Sequence, residues 1–420
     1  MQFMFIAFGV IMFIAVIITI MKVVKGTGNH TGTSSSGGYR APTDEETARL
    51  CRTLEADKLY DIAKGLEDED GHKEDYSKWL SYMSAAAEKG YAPAQREIGL
   101  YHKYDDNMLA INFLERAAQA GDGKAAYELA YIYRHGISGG TPAIDKDLDK
   151  AFKCVTPLAE KGDPDAQKAL ADLYYYEKDD EKCALKWYLK AAEQGDLEAM
   201  HEAGDLYGFN DEMEKSKEMY LKAAEHGYAE AECSLGNYFT DVEPDLKQAM
   251  EWYKKASDHG DTFASCRVGE MYLNGEGVLK DAYAAVDYFQ KAASEGSLYG
   301  KYLLGKCYFE GTGVTQDYKK AIELYKDAAR YDSDAQYALA MCYLTGEGVK
   351  KSSDKAVSYL TKASRENVEA AYKLGEIYYN GEGVKKDEEK ARELWRRAAR
   401  RGNKDAAESL KIYFGERIDD

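Results

Sequence analysis

Residues 378 to 387 read Tyr-Tyr-Asn-Gly-Glu-Gly-Val-Lys-Lys-Asp, a Gly-x-Gly followed by two lysines. Glycines of this kind can free backbone N–H groups to cradle a phosphate beside a cation. A dinucleotide loop would also need a third glycine, a strand before it and an acid about 20 residues on, while a P-loop needs Gly-Lys-Ser/Thr. None of these is present, and the stretch recurs from Tyr272, Tyr308 and Tyr343. Recurrence at a fixed period marks a repeat architecture rather than a phosphate site built four times.

Other chemistry is equally sparse. The histidines His30, His72, His102, His135, His201, His226 and His259 form no HExxH, and no CxxC or His-Cys cluster has metal-ligand spacing. His226 and His259 stand just before Gly227 and Gly260, where a cation suits a helix C-terminus. No nucleophile-elbow pattern occurs. The chain therefore reads as a non-enzyme without catalytic residues, metal or cofactor. Cys51, Cys154, Cys183, Cys233, Cys266, Cys307 and Cys342 are scattered singly, which favours a reducing compartment.

The elements that carry the loop follow from its register. A small residue, a Leu-like residue four on, then Gly or Ala and often Tyr three later recur with that Gly/Ala at Gly99, Ala130, Ala171, Gly204, Gly236, Gly269, Gly305, Ala340 and Gly375. A second helix follows in each unit, as in Cys183–Asp196, Gln248–Asp261 and Lys390–Asn403, with apolar residues at i, i+1 and i+4 and then a pair of small residues. After it come Gly90, Gly121, Gly162, Gly195, Gly227, Gly260, Gly296, Asp332, Asn367 and Gly402, all types that tolerate a left-handed helix cap. Asp281, Asp317, Ser352 and Asp387 end the Gly-x-Gly loops and suit an N-cap, so each loop reads as a turn joining two antiparallel helices. Residues 134 to 147 are an insertion, and the last copy, from Ala406, lacks its second helix.

Few prolines (6) and 31% charged residues suit an almost wholly helical chain of 420 residues, long for one globular core and comfortable for an array. A net charge of -18 argues against a nucleic-acid binder and fits a basic partner. Phe3 to Met21 is apolar except for Thr19, long enough for a membrane helix, and Lys22 and Lys25 follow it. The expectation is an anchor at 1–25, a flexible Gly/Ser/Thr linker at 26–42 and repeats on the cytoplasmic side of the plasma membrane. A cleaved leader with the repeats outside the membrane is the alternative.

Ala-x4-Gly, Met/Leu-Tyr, Gly-x-Gly-Val-x-x-Asp, Lys-Ala, Trp/Tyr-Tyr-x-Lys-Ala-Ala and Gly together resemble the Sel-1-like repeat, a relative of the tetratricopeptide repeat. The match is most specific over residues 262 to 403 and looser from 92 to 261, where "YYYEKDDEKCA" and "YGFNDEMEKS" lack the loop. The resemblance implies an all-α, right-handed α-solenoid of stacked antiparallel helix pairs, preceded here by one transmembrane helix. It implies about nine repeats over 92–403, a degenerate helical cap or first repeat at 43–91 and a C-terminal capping helix at 404–420. It also implies a scaffold or adaptor that recruits a protein or peptide on its concave surface; an exported envelope protein binding a wall fragment or other extracellular ligand is the alternative.

On a wheel of about 100° per residue with the unit's Gly/Ala at 0°, the buried arc centres near −80°. Position +1 then faces away from the core, with position −3 beside it. The family's first helix lines the concave side. Position −3 reads Tyr302, Tyr337 and Tyr372, and +1 reads Lys306, Met341 and Glu376, after an acidic middle of Asp172, Asp205 and Glu270. These six residues are the expected partner contacts, packing between units being the competing account for the tyrosines.

Overall fold

The computed structural model describes residues 45–67, 72–73 and 75–417, so the expected anchor at 1–25 and linker at 26–42 lie outside the described residues. These hold 22 α-helices and no strand beyond isolated bridges. They fall into two units that meet at Leu148 and Asp149.

The first unit contains α1 (Glu45–Thr53), α2 (Ala56–Lys64), α3 (Tyr76–Glu88), α4 (Ala92–His102), α5 (Asn107–Gln119) and α6 (Gly123–His135). Leu59, Trp79, Met83, Ile98 and Phe113 build its core, and the Trp79 indole N–H donates to Glu67 Oε1 at 2.6 Å. The insertion folds back on itself. Ile137 and Ile144 exchange backbone hydrogen bonds at 2.8 and 2.9 Å, and the buried Asn107 amide donates to the Gly139 and Pro142 carbonyls at 2.7 and 2.8 Å.

The second unit runs from α7 (Leu148–Glu160) through seven helix pairs. These are α8 (Pro164–Lys178) with α9 (Glu181–Ala192), α10 (Leu197–Phe209) with α11 (Met213–Ala224), α12 (Ala229–Asp241) with α13 (Leu246–Asp258), α14 (Thr262–Asn274) with α15 (Ala282–Ser294), α16 (Leu298–Glu310) with α17 (Tyr318–Ala328), α18 (Ser333–Thr345) with α19 (Ser353–Ala363), and α20 (Val368–Asn380) with α21 (Glu388–Ala399). α22 (Lys404–Phe414) follows them. Each first helix packs on its own second helix, and that second helix on the next first helix.

The glycine of each unit explains the pairing. A Cβ at Gly204, Gly236 or Gly269 would lie 2.5, 2.4 or 2.4 Å from the ring of Tyr220, Tyr253 or Phe289, and one at Gly375 would lie 2.4 Å from the Trp395 indole nitrogen. The second helix thus drives an aromatic ring across bare backbone. Burying such a ring contributes about 2–3 kcal/mol, which exceeds the roughly 1 kcal/mol a mid-helix glycine costs.

The caps follow the sequence with one correction. Asp281, Asp317, Ser352 and Asp387 each accept a hydrogen bond from a first-turn N–H, as expected of N-caps. Gly260 and Gly296 hold left-handed caps at φ +95° and +97°. Asp332 and Asn367 do not: their φ values are −95° and −85°, and their side chains cap the starts of α18 and α20 instead. These two junctions are one residue shorter. Ser297 N–H reaches the carbonyl five residues back, Ala292, whereas Asp332 and Asn367 reach Ala328 and Ala363, four back, so no left-handed residue is needed.

Counted from the N-caps Asn367 and Asn403, Lys411 of α22 stands where α20 has Gly375, and it is exposed. Beyond Gly415 the chain turns back, and Glu416 accepts from Arg392 Nε at 2.8 Å and Arg396 Nη2 at 2.7 Å, both on α21. That pairing holds its carboxyl down to about 2.

Candidate interaction surface

Within the second unit the first helices α8 to α20 carry the residues singled out from the sequence. Tyr302 is half-buried, its ring centroid 6.2 Å from Tyr299 and 6.1 Å from Tyr325, and it packs against the cores on both sides of α16. Burial pushes its hydroxyl up to about 12, with Asp334 and Asp332 adding to the effect. Tyr337 packs against the core around Leu360 and Leu374. Its pKa is raised by burial and by Glu369 and Glu376, with Lys373 opposing. Tyr372 lies 6.4 Å from Trp395, and its hydroxyl donates to Glu376 Oε1 at 3.4 Å. Lys306 is exposed, and Met341 and Glu376 are half-buried. The structure therefore brings Tyr372 and Glu376 together as a pair, and places all three tyrosines partly between units.

Position +1 has a role the helical wheel does not show. Tyr188 donates its hydroxyl to Asp172 Oδ1 at 2.5 Å, Tyr220 to Asp205 Oδ1 at 2.5 Å and Tyr253 to Asn237 Oδ1 at 2.7 Å. Each ring passes over the small residue at 0°, so its hydroxyl emerges at +1, on the side away from the core. Where the second helix offers Phe289, which has no hydroxyl, Glu270 accepts from Tyr299 of the following helix at 2.6 Å. The recurring Gly/Ala-Asp/Asn in the first helix and Tyr in the second was the available signal, but joining them requires the three-dimensional path over the glycine.

Position −2 completes that outer face. Arg267 Nη1 donates to Glu270 Oε2 at 2.7 Å, and Lys373 Nζ to Glu376 Oε2 at 3.0 Å, so in α14 and α20 the −2 and +1 residues form an ion pair one turn apart. In α10 both positions are acidic, Glu202 and Asp205. The half-buried Glu202 carboxyl is pushed up to about 8 by burial and by Asp205, Asp172 and Glu198, against a partial offset from Lys168. Its ionisation is felt in turn by Tyr175, Tyr188, Tyr220 and Tyr228, whose hydroxyls all sit above their ordinary value. No group of metal-ligand side chains occurs among the described residues.

Nine segments match the Sel1 repeat, at residues 92–122, 123–163, 164–196, 197–228, 229–261, 262–297, 298–330, 333–368 and 368–403. No curated protein matches the chain. Among solved structures, it is similar to c5321, a protective antigen present in uropathogenic Escherichia coli strains displaying an SLR fold. Identity is 26%, the likeness covers 89% of this chain and 84% of that one, and the TM-score is 0.53. It is also similar to a Sel1 repeat protein from Oxalobacter formigenes, with 27% identity over 76% of this chain and 93% of that one and a TM-score of 0.53. With the repeat matching through most of its length and the ring-over-glycine pairing built into successive units, the chain belongs to the Sel1 repeat family.

Proposed function

We propose that the protein is a membrane-tethered scaffold whose first helices recruit a protein or peptide partner. Sel1 repeat proteins mediate protein–protein interaction in general. The observation that carries the reading to this chain is the outer face of α16, α18 and α20. There Tyr302, Tyr337 and Tyr372 stay half-exposed beside Lys306, Met341 and Glu376 at the same two positions of successive units. Rigid aromatic rings next to a varied charged row are the composition of a binding surface. The acidic balance suits a basic partner.

Because the tyrosines also pack between units, the row at +1 is the cleaner probe. Lys306→Glu, Met341→Ala and Glu376→Lys together should abolish capture of the partner from detergent-solubilised membranes, with the chain still folded and the melting temperature lowered only modestly, since Lys306 is exposed and Met341 and Glu376 are half-buried. Undiminished capture by a folded triple variant refutes this face.

Tethering rests on the apolar Phe3–Met21 segment and the lysines after it. No helix among the described residues is long and apolar enough to cross a membrane. Placement of the repeats in the cytoplasm draws on the seven cysteines, none of which is joined to another by a disulfide. An extracytoplasmic location is the second reading, favoured by the likeness to a protein described as a protective antigen.

A further inference from the structure

In the seven helix pairs of the second unit, each second helix ends in two small residues, and the residue directly after them is exposed at the junction with the next unit. From α9 to α21 it reads Glu193, Glu225, Asp258, Ser294, Arg330, Arg365 and Arg400. The order is antisymmetric about Ser294, with acids at one end and arginines at the other. Glu160 at the end of α7 extends the acidic end beyond the last mirrored pair. Helix electrostatics do not produce this order, because a helix C-terminus favours cations and disfavours the acids. Successive junctions touch along this edge: Lys291 Nζ donates to the Ser257 carbonyl at 2.6 Å, Arg397 Nη2 to Ser364 Oγ at 3.0 Å and Arg401 Nη1 to the Arg365 carbonyl at 3.2 Å. The exposed rings obey the same symmetry. Phe263 follows the Asp258 junction and Tyr331 stands beside Arg330, the mirror position, and they are 42% and 70% exposed.

We propose that this edge is an isologous contact between two copies of the chain, laid antiparallel about a two-fold axis at Ser294. Glu193, Glu225 and Asp258 of one copy then face Arg400, Arg365 and Arg330 of the other, and Phe263 faces Tyr331. A second copy is the occupant because a two-fold contact needs a surface complementary to itself, which this row of charges and rings is. The cations one turn back leave the order intact: Lys190 and Lys255 lie 3.9 and 3.8 Å over the Trp187 and Trp252 rings, and Lys222 pairs with Glu218 at 2.7 Å. At the arginine end, Asp334 and Glu369 accept from Asn367 and Asn403 at 2.6 and 2.8 Å. Glu295, beside the axis, would meet its own copy and opposes the contact, whereas each favourable charge pair occurs twice. Pairs this exposed are screened by salt, so the association weakens as ionic strength rises.

The test is size-exclusion chromatography with light scattering on the full-length protein in detergent micelles. At about 50 mM salt the wild type should be a dimer that shifts toward monomer at about 0.5 M. One variant carries Arg330→Glu, Arg365→Glu and Arg400→Glu, and another carries Glu193→Arg, Glu225→Arg and Asp258→Arg. Each alone should raise the dimer dissociation constant at least about tenfold. An equimolar mixture should restore a dimer holding one of each, because an all-acidic row then faces an all-basic one. Both variants stay net negative, so overall charge does not draw them together. A monomeric wild type, a dimer that persists in both variants, or folded variants that fail to pair on mixing overturns the proposal. Should either triple variant not fold, the single reversals Arg365→Glu and Glu225→Arg carry the same mixing test.

Discussion

Glu202 is the residue whose surroundings depart furthest from its sequence. Its folded pKa of about 8 lies above the ordinary carboxylate value, so the folded state holds a proton the unfolded chain would release. The sign follows: the stability this proton confers is complete below the unfolded pKa and is lost as pH rises to about 8. The urea midpoint of the wild type should fall between about pH 5 and pH 8, and Glu202→Gln should flatten that dependence, being more stable than wild type at the upper end. An unchanged slope in the variant would show that the carboxyl titrates normally. Tyr220→Phe, which takes the hydroxyl from Asp205, should cost about 1 kcal/mol in the same melts. The tyrosines at −3 stood out in the sequence because they repeat, and the structure adds that they pack partly between units. Glu202 was not, because its meaning lies in breaking a pairing that only the structure displays, in Arg267–Glu270 and Lys373–Glu376.

At the scale of the helix, two positive-φ glycines separate strain from crowding. A Cβ at Gly296 meets nothing within 4 Å, whereas one at Gly313 would lie 2.1 Å from the Ala282 carbonyl oxygen. Gly296→Ala should therefore cost about 1–2 kcal/mol from the backbone alone, and Gly313→Ala about 3 kcal/mol or more. Equal losses in denaturant melts would mean the loop yields easily. Helix pairing, loop role and the N-caps Asp281, Asp317, Ser352 and Asp387 were legible because each is set by local residue types and spacing. The shortened junctions at Asp332 and Asn367 misled because both types serve equally as left-handed caps and as N-caps. Only the hydrogen-bond register separates the two uses.

For the whole molecule, the proposed cytoplasmic placement of the repeats is open to direct measurement. Cys51, Cys233, Cys266, Cys307 and Cys342 are buried, while Cys154 and Cys183 are half-buried. An impermeant thiol reagent should label these last two in lysed cells and neither in intact cells; labelling of intact cells places the repeats outside. The Glu416 clamp makes a second prediction. Its carboxyl is depressed to about 2, so its contribution is present above the unfolded value and is lost as pH falls toward 2. Glu416→Gln should raise amide hydrogen exchange in α22 at neutral pH while leaving α16 unaffected, because repeats exchange with their neighbours as local units. The repeat period and its extent were plain from the sequence, since copies of one pattern reinforce each other. The clamp was not, because it joins residues that belong to no repeated position. Lys411 carries a consequence for how such a chain can grow over generations. A duplicated second helix appended behind α22 would bring its aromatic ring against a lysine side chain instead of bare backbone. A unit copied behind α22 would need a small residue at position 411 before its second helix could close on the first as the other pairs do.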